Sequence, residues 1–278
     1  MMHKIGLGLL LLVIAALAGA EMPAIDIGRL VDLTSKVATA NAPIPVEREI
    51  EIGRGLAASM LGASPLYPDD GLQRYINHVG RWLADRTERA SLPWHFAVLD
   101  TETVNAFAAP GGYIFVTKGL LRVAGSESEL AGVLAHEIGH VLRSHHLEAI
   151  RKQAMAGIVA DVAGMFAGNR GVDLGPLIGI GMQVYARGLD RDDEFEADRI
   201  GVVVATRGGY EPYGLPRVLL ALNAMNPAAG NLSLLSSTHP PFPDRLARLE
   251  QLMLGRFDAY AAQPQLAERY QGYCRALH

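Results

Sequence analysis

The chain has 278 residues, with 25 Lys and Arg against 29 Asp and Glu and a formal net charge of −4. Half of the residues are hydrophobic and 19% are charged, which excludes a disordered chain and speaks against a general nucleic-acid binder. The single cysteine, Cys274, excludes an intrachain disulfide scaffold and any thiolate zinc cluster.

Residues 1–20 open with Lys4, continue as an uncharged run from Ile5, and close on Ala18-Gly19-Ala20. That order predicts a secretory signal cleaved after Ala20, hence a periplasmic or secreted protein. An uncleaved membrane anchor is the alternative. Residues 21–44 carry prolines and no apolar period, and read as an irregular lead-in. Pro45 to Met60 reads as a helix with a charged outer face. Pro68-Asp69-Asp70-Gly71 starts a second helix, on which Leu72, Tyr75, Ile76, Val79, Trp82 and Leu83 recur at helical spacing. Residues 93–117 are short, β-branched and aromatic runs broken by Pro110-Gly111-Gly112, and predict a small sheet of about three strands. Val104, Asn105, Ala106 and Phe107 are a candidate exposed sheet edge, to which an extended peptide can add by main-chain hydrogen bonds.

Ser126 to Arg151 reads as one long helix opened by a Ser126/Glu129 capping box. The apolar residues 154–186 are broken by Asp161, Arg170 and Asp173, so they predict a buried helical pair and not a membrane hairpin. Further helices are expected over Asp190–Arg207, Pro216–Met225 and Pro243–Leu254, with a proline-stiffened loop at Thr238–Pro243. Residues 45–255 then form one domain, and 256–278 a short C-terminal tail.

His136-Glu137-Ile138-Gly139-His140 places two histidines four apart on the long helix, one above the other on one face. Their imidazoles can converge on one metal ion, while Glu137 projects beside it, where it can take a proton from the attacking water. Composition alone would produce roughly 0.016 such matches. Apolar Leu130, Leu134, Ile138 and Val141 leave the histidines on a semi-buried flank. A catalytic zinc needs a third protein ligand. Glu194 and Asp198, again four apart, can divide the work: one binds the metal and the other accepts the distal N–H of a ligand histidine. Glu196 reads as a surface acid. His145 and His146 read as exposed helix-end residues, because a continuous helix carries them away from the metal.

These motifs resemble the HtpX-type gluzincin metallopeptidases, the clan of the CAAX prenyl endopeptidases and of the Oma-type, BepA-type and LoiP-type proteases. The resemblance covers most of residues 45–255. It rests on Val104 to Gly112, His136 to His140, Arg191 with Glu194, Asp198 and Gly201, then Gly209-Tyr210-Glu211-Pro212, and Thr238-His239-Pro240 with Asp244-Arg245. It implies an α+β, mainly helical, zincin-like fold with the active-site helix packed on the small sheet. It implies one zinc ion held by His136, His140 and Glu194, with Glu137 as catalytic base of an endopeptidase. The chain lacks the long transmembrane helices of the HtpX and CAAX branches and ends before the tetratricopeptide domain of the BepA type, so it resembles a soluble secreted branch.

His239 is expected to stabilise the oxyanion or to latch the open metal position. Arg245 is expected to anchor that loop through an ion pair, with substrate contact as the alternative. The expected partner is an unfolded or flexible polypeptide, with no nucleic acid; peripheral membrane contact stays compatible. The competing reading is a chaperone-like or regulatory binding protein with a latched, silent zinc site.

Overall fold

A computed structural model of the chain describes residues 43–156, 162–168, 171–225 and 238–277. The predicted signal and nearly all of the lead-in lie outside the described residues. Almost all of the described residues belong to one unit, Ile44–His278.

Its elements, in chain order, begin with helices α1 (Val46–Ala63) and α2 (Asp70–Ala84). Strands β1 (His95–Leu99), β2 (Ala106–Ala109) and β3 (Tyr113–Thr117) come next. Then come α3 (Lys118–Val123), α4 (Glu127–Leu142), α5 (His145–Ala156), α6 (Val162–Ala167) and α7 (Gly175–Arg187). The last helices are α8 (Arg191–Arg207), α9 (Gly214–Ala224), α10 (Phe242–Met253) and α11 (Ala267–Cys274). The architecture is mainly helical around one three-stranded mixed sheet, as the resemblance implies. Among the described residues no helix is long and apolar enough to cross a membrane.

The sheet order is β1-β3-β2, with β1 parallel and β2 antiparallel to the central β3. The β2–β3 turn needs glycine, since Gly111 and Gly112 adopt φ of 75° and 97°. Buried Glu49 of α1 holds this turn: it accepts the Gly111 N–H at 2.9 Å and is paired with Arg89. On the other face α2 covers β1. Asp69 caps α2 by accepting from Leu72 N, and Gln73 bonds both main-chain groups of Val98.

Helix α4 starts where Ser126 accepts the Glu129 N–H; Glu129 in turn accepts from the Gly125 N–H. It is buried except at Glu129 and its last residue, Leu142, in a core that includes Leu130, Leu134 and Ile138. A helix enclosed this way needs neighbours on all faces, and the semi-buried flank expected for its histidines does not exist.

The long helix expected over Ser126–Arg151 is two helices. Ser144 takes a left-handed φ of 56°, and its carbonyl accepts from Glu148 N to start α5. The Val141 carbonyl at the end of α4 is satisfied by the Arg89 guanidinium at 2.8 Å and by Ser144 N. A distant side chain therefore supports the break, and nothing local to residues 126–151 announces it. Beyond it, α5 and α7 pack Leu147 and Ile150 against Leu177 and Val184 in a second core with Met165 and Phe166 of α6. Residues 256–278, set apart in the sequence as a tail, carry α11, whose Tyr270 and Cys274 are buried in the main core. Glu127, at the start of α4, is buried and accepts from Tyr75, Tyr210 and Arg269.

Candidate metal centre

The centre forms where α8 crosses α4. The crossing is close because small residues meet there. A Cβ on Gly201 would lie 3.0 Å from His136 N, and one on Gly139 would lie 3.3 Å from Ala197 Cα. This contact faces Glu194 and Asp198 of α8 toward His136 and His140 of α4. None of these four residues, nor Glu137, is more than 3% exposed.

His136 Nε2 and His140 Nε2 are 3.1 Å apart. Glu194 Oε2 lies 3.7 Å from His136 Nε2, and Glu194 Oε1 lies 3.5 Å from His140 Nε2. Ligand atoms about 2.0–2.1 Å from a tetrahedral zinc are about 3.3 Å from one another, so this trio fits a zinc ion. The three residues form the one such cluster found among the described residues. Electrostatics agrees with the donor set. Burial, with Arg245 for His136 and neighbouring histidines for His140, pushes both imidazoles below their ordinary value, leaving them neutral with a lone pair to offer. Burial works against ionisation of Glu194, but the hydrogen bond from His239 and the Arg245 guanidinium outweigh it and hold its carboxyl well below the usual range.

His136 Nδ1 donates to Asp198 Oδ1 at 3.0 Å. Asp198 is gripped in turn by Arg245, whose Nε and Nη2 donate at 2.9 and 2.5 Å. Buried Arg245 thus ties α10 to α8, with its Nη1 3.8 Å from Glu194 Oε2. His239, before α10, donates from Nδ1 to Glu194 Oε2 at 2.6 Å and lies outside the three-ligand cluster.

The expectations for His145, His146 and Glu196 need correction. His145 is not exposed: the break at Ser144 returns its ring to the centre, where its Nδ1 lies 3.0 Å from His140 Nδ1. His146 lines the cleft, stacked on Tyr185 at 4.6 Å between ring centres, with burial pushing its imidazole down to about 3. Glu196 is not a free surface acid either, since its Oε2 lies 3.4 Å from His145 Nε2. The sequence does carry the two histidines five and six positions beyond His140. Without the left-handed residue between them, that spacing has no meaning.

A cavity of about 410 Å³ opens beside Glu137, His140 and Glu194. Its walls include Met60, Leu99, Phe107, Met182 and Tyr185. The edge strand expected over Val104 to Phe107 is β2, Ala106–Ala109, and it is buried and not exposed, with Val104, Asn105 and Ala108 all in the interior. It lies along this cavity at Ala106 and Phe107, and Ala106 and Ala108 turn main-chain groups away from β3 by the alternation of an antiparallel ladder. Asn105 Oδ1 takes the Ala106 N–H at 3.0 Å, and the Tyr185 hydroxyl donates to the Ala108 carbonyl at 2.6 Å. Burial, with Glu194 second, raises the Glu137 carboxyl to about 8.

Residues 71–253 match the model of peptidase family M48. The chain is 32% identical over 244 residues to the beta-barrel assembly-enhancing protease of Yersinia pestis, covering 83% of this chain and 49% of that protein. It is 27% identical over 177 residues to the mitochondrial metalloendopeptidase OMA1 of Schizosaccharomyces pombe, covering 64% of this chain and 52% of the relative. It is 32% identical over 219 residues to a protease HtpX homolog of Burkholderia thailandensis, with 64% and 75% covered. The chain spans about half the length of the beta-barrel assembly-enhancing proteases it matches.

Proposed function

The chain belongs to peptidase family M48, whose metallopeptidases use zinc, and from that premise we propose that it is a zinc metalloendopeptidase cleaving misfolded or flexible envelope proteins. The observation that carries this reading is the buried trio of His136, His140 and Glu194 beside Glu137 at the end of an open apolar cleft. When bound there, zinc supplies positive charge that polarises the scissile carbonyl and acidifies the attacking water.

The chain's own residues do the rest. Glu137 takes the proton of the attacking water and returns it to the leaving amine. Asp198 holds His136 in the tautomer with Nδ1–H, and Arg245 holds Asp198. Arg245 therefore anchors the loop and does not reach substrate. An extended peptide pairs with the Ala106 carbonyl of β2, and its apolar side chains enter the space between Met60, Phe107 and Met182. Recognition of backbone on one edge requires a substrate that can be drawn out as a strand. The envelope location rests on the first twenty residues and on the likeness to the Yersinia beta-barrel assembly-enhancing protease.

The test is Glu137→Gln in the full chain. Cleavage of casein should fall by at least about 10²-fold while zinc binding stays intact. Wild-type turnover in that variant would sink the mechanism. A second reading is favoured by the short His239–Glu194 hydrogen bond: His239 latches the ligand carboxylate and keeps the site silent until substrate displaces the loop. On that reading His239→Ala raises basal cleavage, whereas an oxyanion-stabilising His239 requires it to fall.

A further inference from the structure

We infer that His145 is a positioning residue for the metal ligand His140: its Nδ1 accepts the Nδ1–H of His140, and its Nε2–H is donated toward Glu196. This role rests on the metal-centre reading and falls to a residue outside the ligand set.

Counting protons assigns the donors and acceptors. His140 and His145 face each other through their Nδ1 atoms at 3.0 Å, so one carries the proton and the other the lone pair. To serve as a ligand, His140 must keep the lone pair on Nε2, the nitrogen that points at His136 Nε2 and Glu194 Oε1. Its proton therefore sits on Nδ1, and His145 must be the acceptor. The far side of His145 agrees. Its Nε2 faces two carboxylates, Glu196 Oε2 at 3.4 Å and Asp193 Oδ1 at 3.7 Å, which can only accept. Glu196 is turned to this task by Arg143 and Arg199, which hold its Oε1 at 2.9 and 3.1 Å. With its proton on Nε2, His145 satisfies every partner; the other tautomer leaves two protons opposed at one end and sets a lone pair against carboxylates at the other.

The two ligand histidines are thus oriented differently. His136 donates directly to a buried carboxylate, Asp198. His140 reaches its carboxylates through an intervening imidazole. The arrangement exists because the chain breaks at Ser144 and starts α5 with His145 against the end of α4.

The test is zinc affinity of the full chain, measured by competition with a chelator and independent of turnover. His145→Leu removes the acceptor and should weaken zinc by about 10- to 100-fold. His145→Asn places an amide oxygen where Nδ1 stood and should stay within about 3-fold of wild type. His145→Gln carries its amide one bond further out and should behave like His145→Leu, so the Asn/Gln contrast decides even if the leucine variant folds poorly. Nitrogen-15 spectra of the zinc-loaded protein should show His145 protonated on Nε2 and His140 on Nδ1. Wild-type affinity in His145→Leu, equal losses in Asn and Gln, or the reverse tautomers would each overturn the assignment. His140→Ala separates the two levels: if it also binds zinc like wild type, the metal-centre reading itself fails.

Discussion

Replacing Arg245 by methionine keeps most of the side-chain volume and removes the charge that faces Asp198. Arg245 is 3% exposed and Asp198 1% exposed, so water cannot take the place of the lost guanidinium. Asp198 would keep His136 Nδ1 as a partner but lose both guanidinium bonds, and Glu194 would lose a positive neighbour at 3.8 Å. Breaking a buried pair from one side costs about 3–5 kcal/mol, because the remaining charge stays desolvated. At about 2–4 °C per kcal/mol for a domain of this size, the melting temperature should fall by about 6–20 °C. The assay is urea unfolding with a chelator present, so that metal linkage does not mask the change. Asp198→Asn combined with Arg245→Met should recover at least half of the loss, since a neutral pair leaves no orphaned ion. A loss under about 1 kcal/mol in the single variant, or strictly additive losses in the double, would refute the claim that this pair is a coupled buried unit.

Four further outcomes rest on other contacts of the same domain. Gly201→Val should cost about 1–3 kcal/mol and weaken zinc binding, because its Cβ would press on the His136 backbone and part α8 from α4; chelator competition and a thermal melt read both effects. Tyr185→Phe frees the Ala108 carbonyl for substrate and should lower KM for an extended peptide while changing stability by only about 0.5–1.5 kcal/mol; an unchanged KM removes Tyr185 from the cleft argument. A stop after Ala261 takes Tyr270, Cys274 and Leu277 out of the core and Arg269 away from Glu127, and should cost several kcal/mol by urea titration. In a peptide library, leucine should be preferred over aspartate by at least about 10-fold in kcat/KM at the position entering the Met60, Phe107 and Met182 wall.

The parts of this protein written in its sequence are the local ones. A Ser126 cap, an i,i+4 histidine pair on one helix face and a proline–glycine turn between two short strands are decided by contacts within a few residues. Physical chemistry of that range can be read without a fold. The α4–α8 crossing is different. Glu194 lies 54 positions from His140, and the two meet because Gly139, Ala197 and Gly201 let two backbones approach. The residues are visible in the sequence, but their complementarity is not. The tertiary structure alone decided that α4 is enclosed on all sides, that residues beyond 255 complete its core, and that the chain turns at Ser144. Arg89, more than fifty residues earlier, supports that turn by reaching the Val141 carbonyl. The turn moves His145 from an expected surface position to the back of His140, and so a ligand's orientation is set by a contact that no periodicity along the chain encodes.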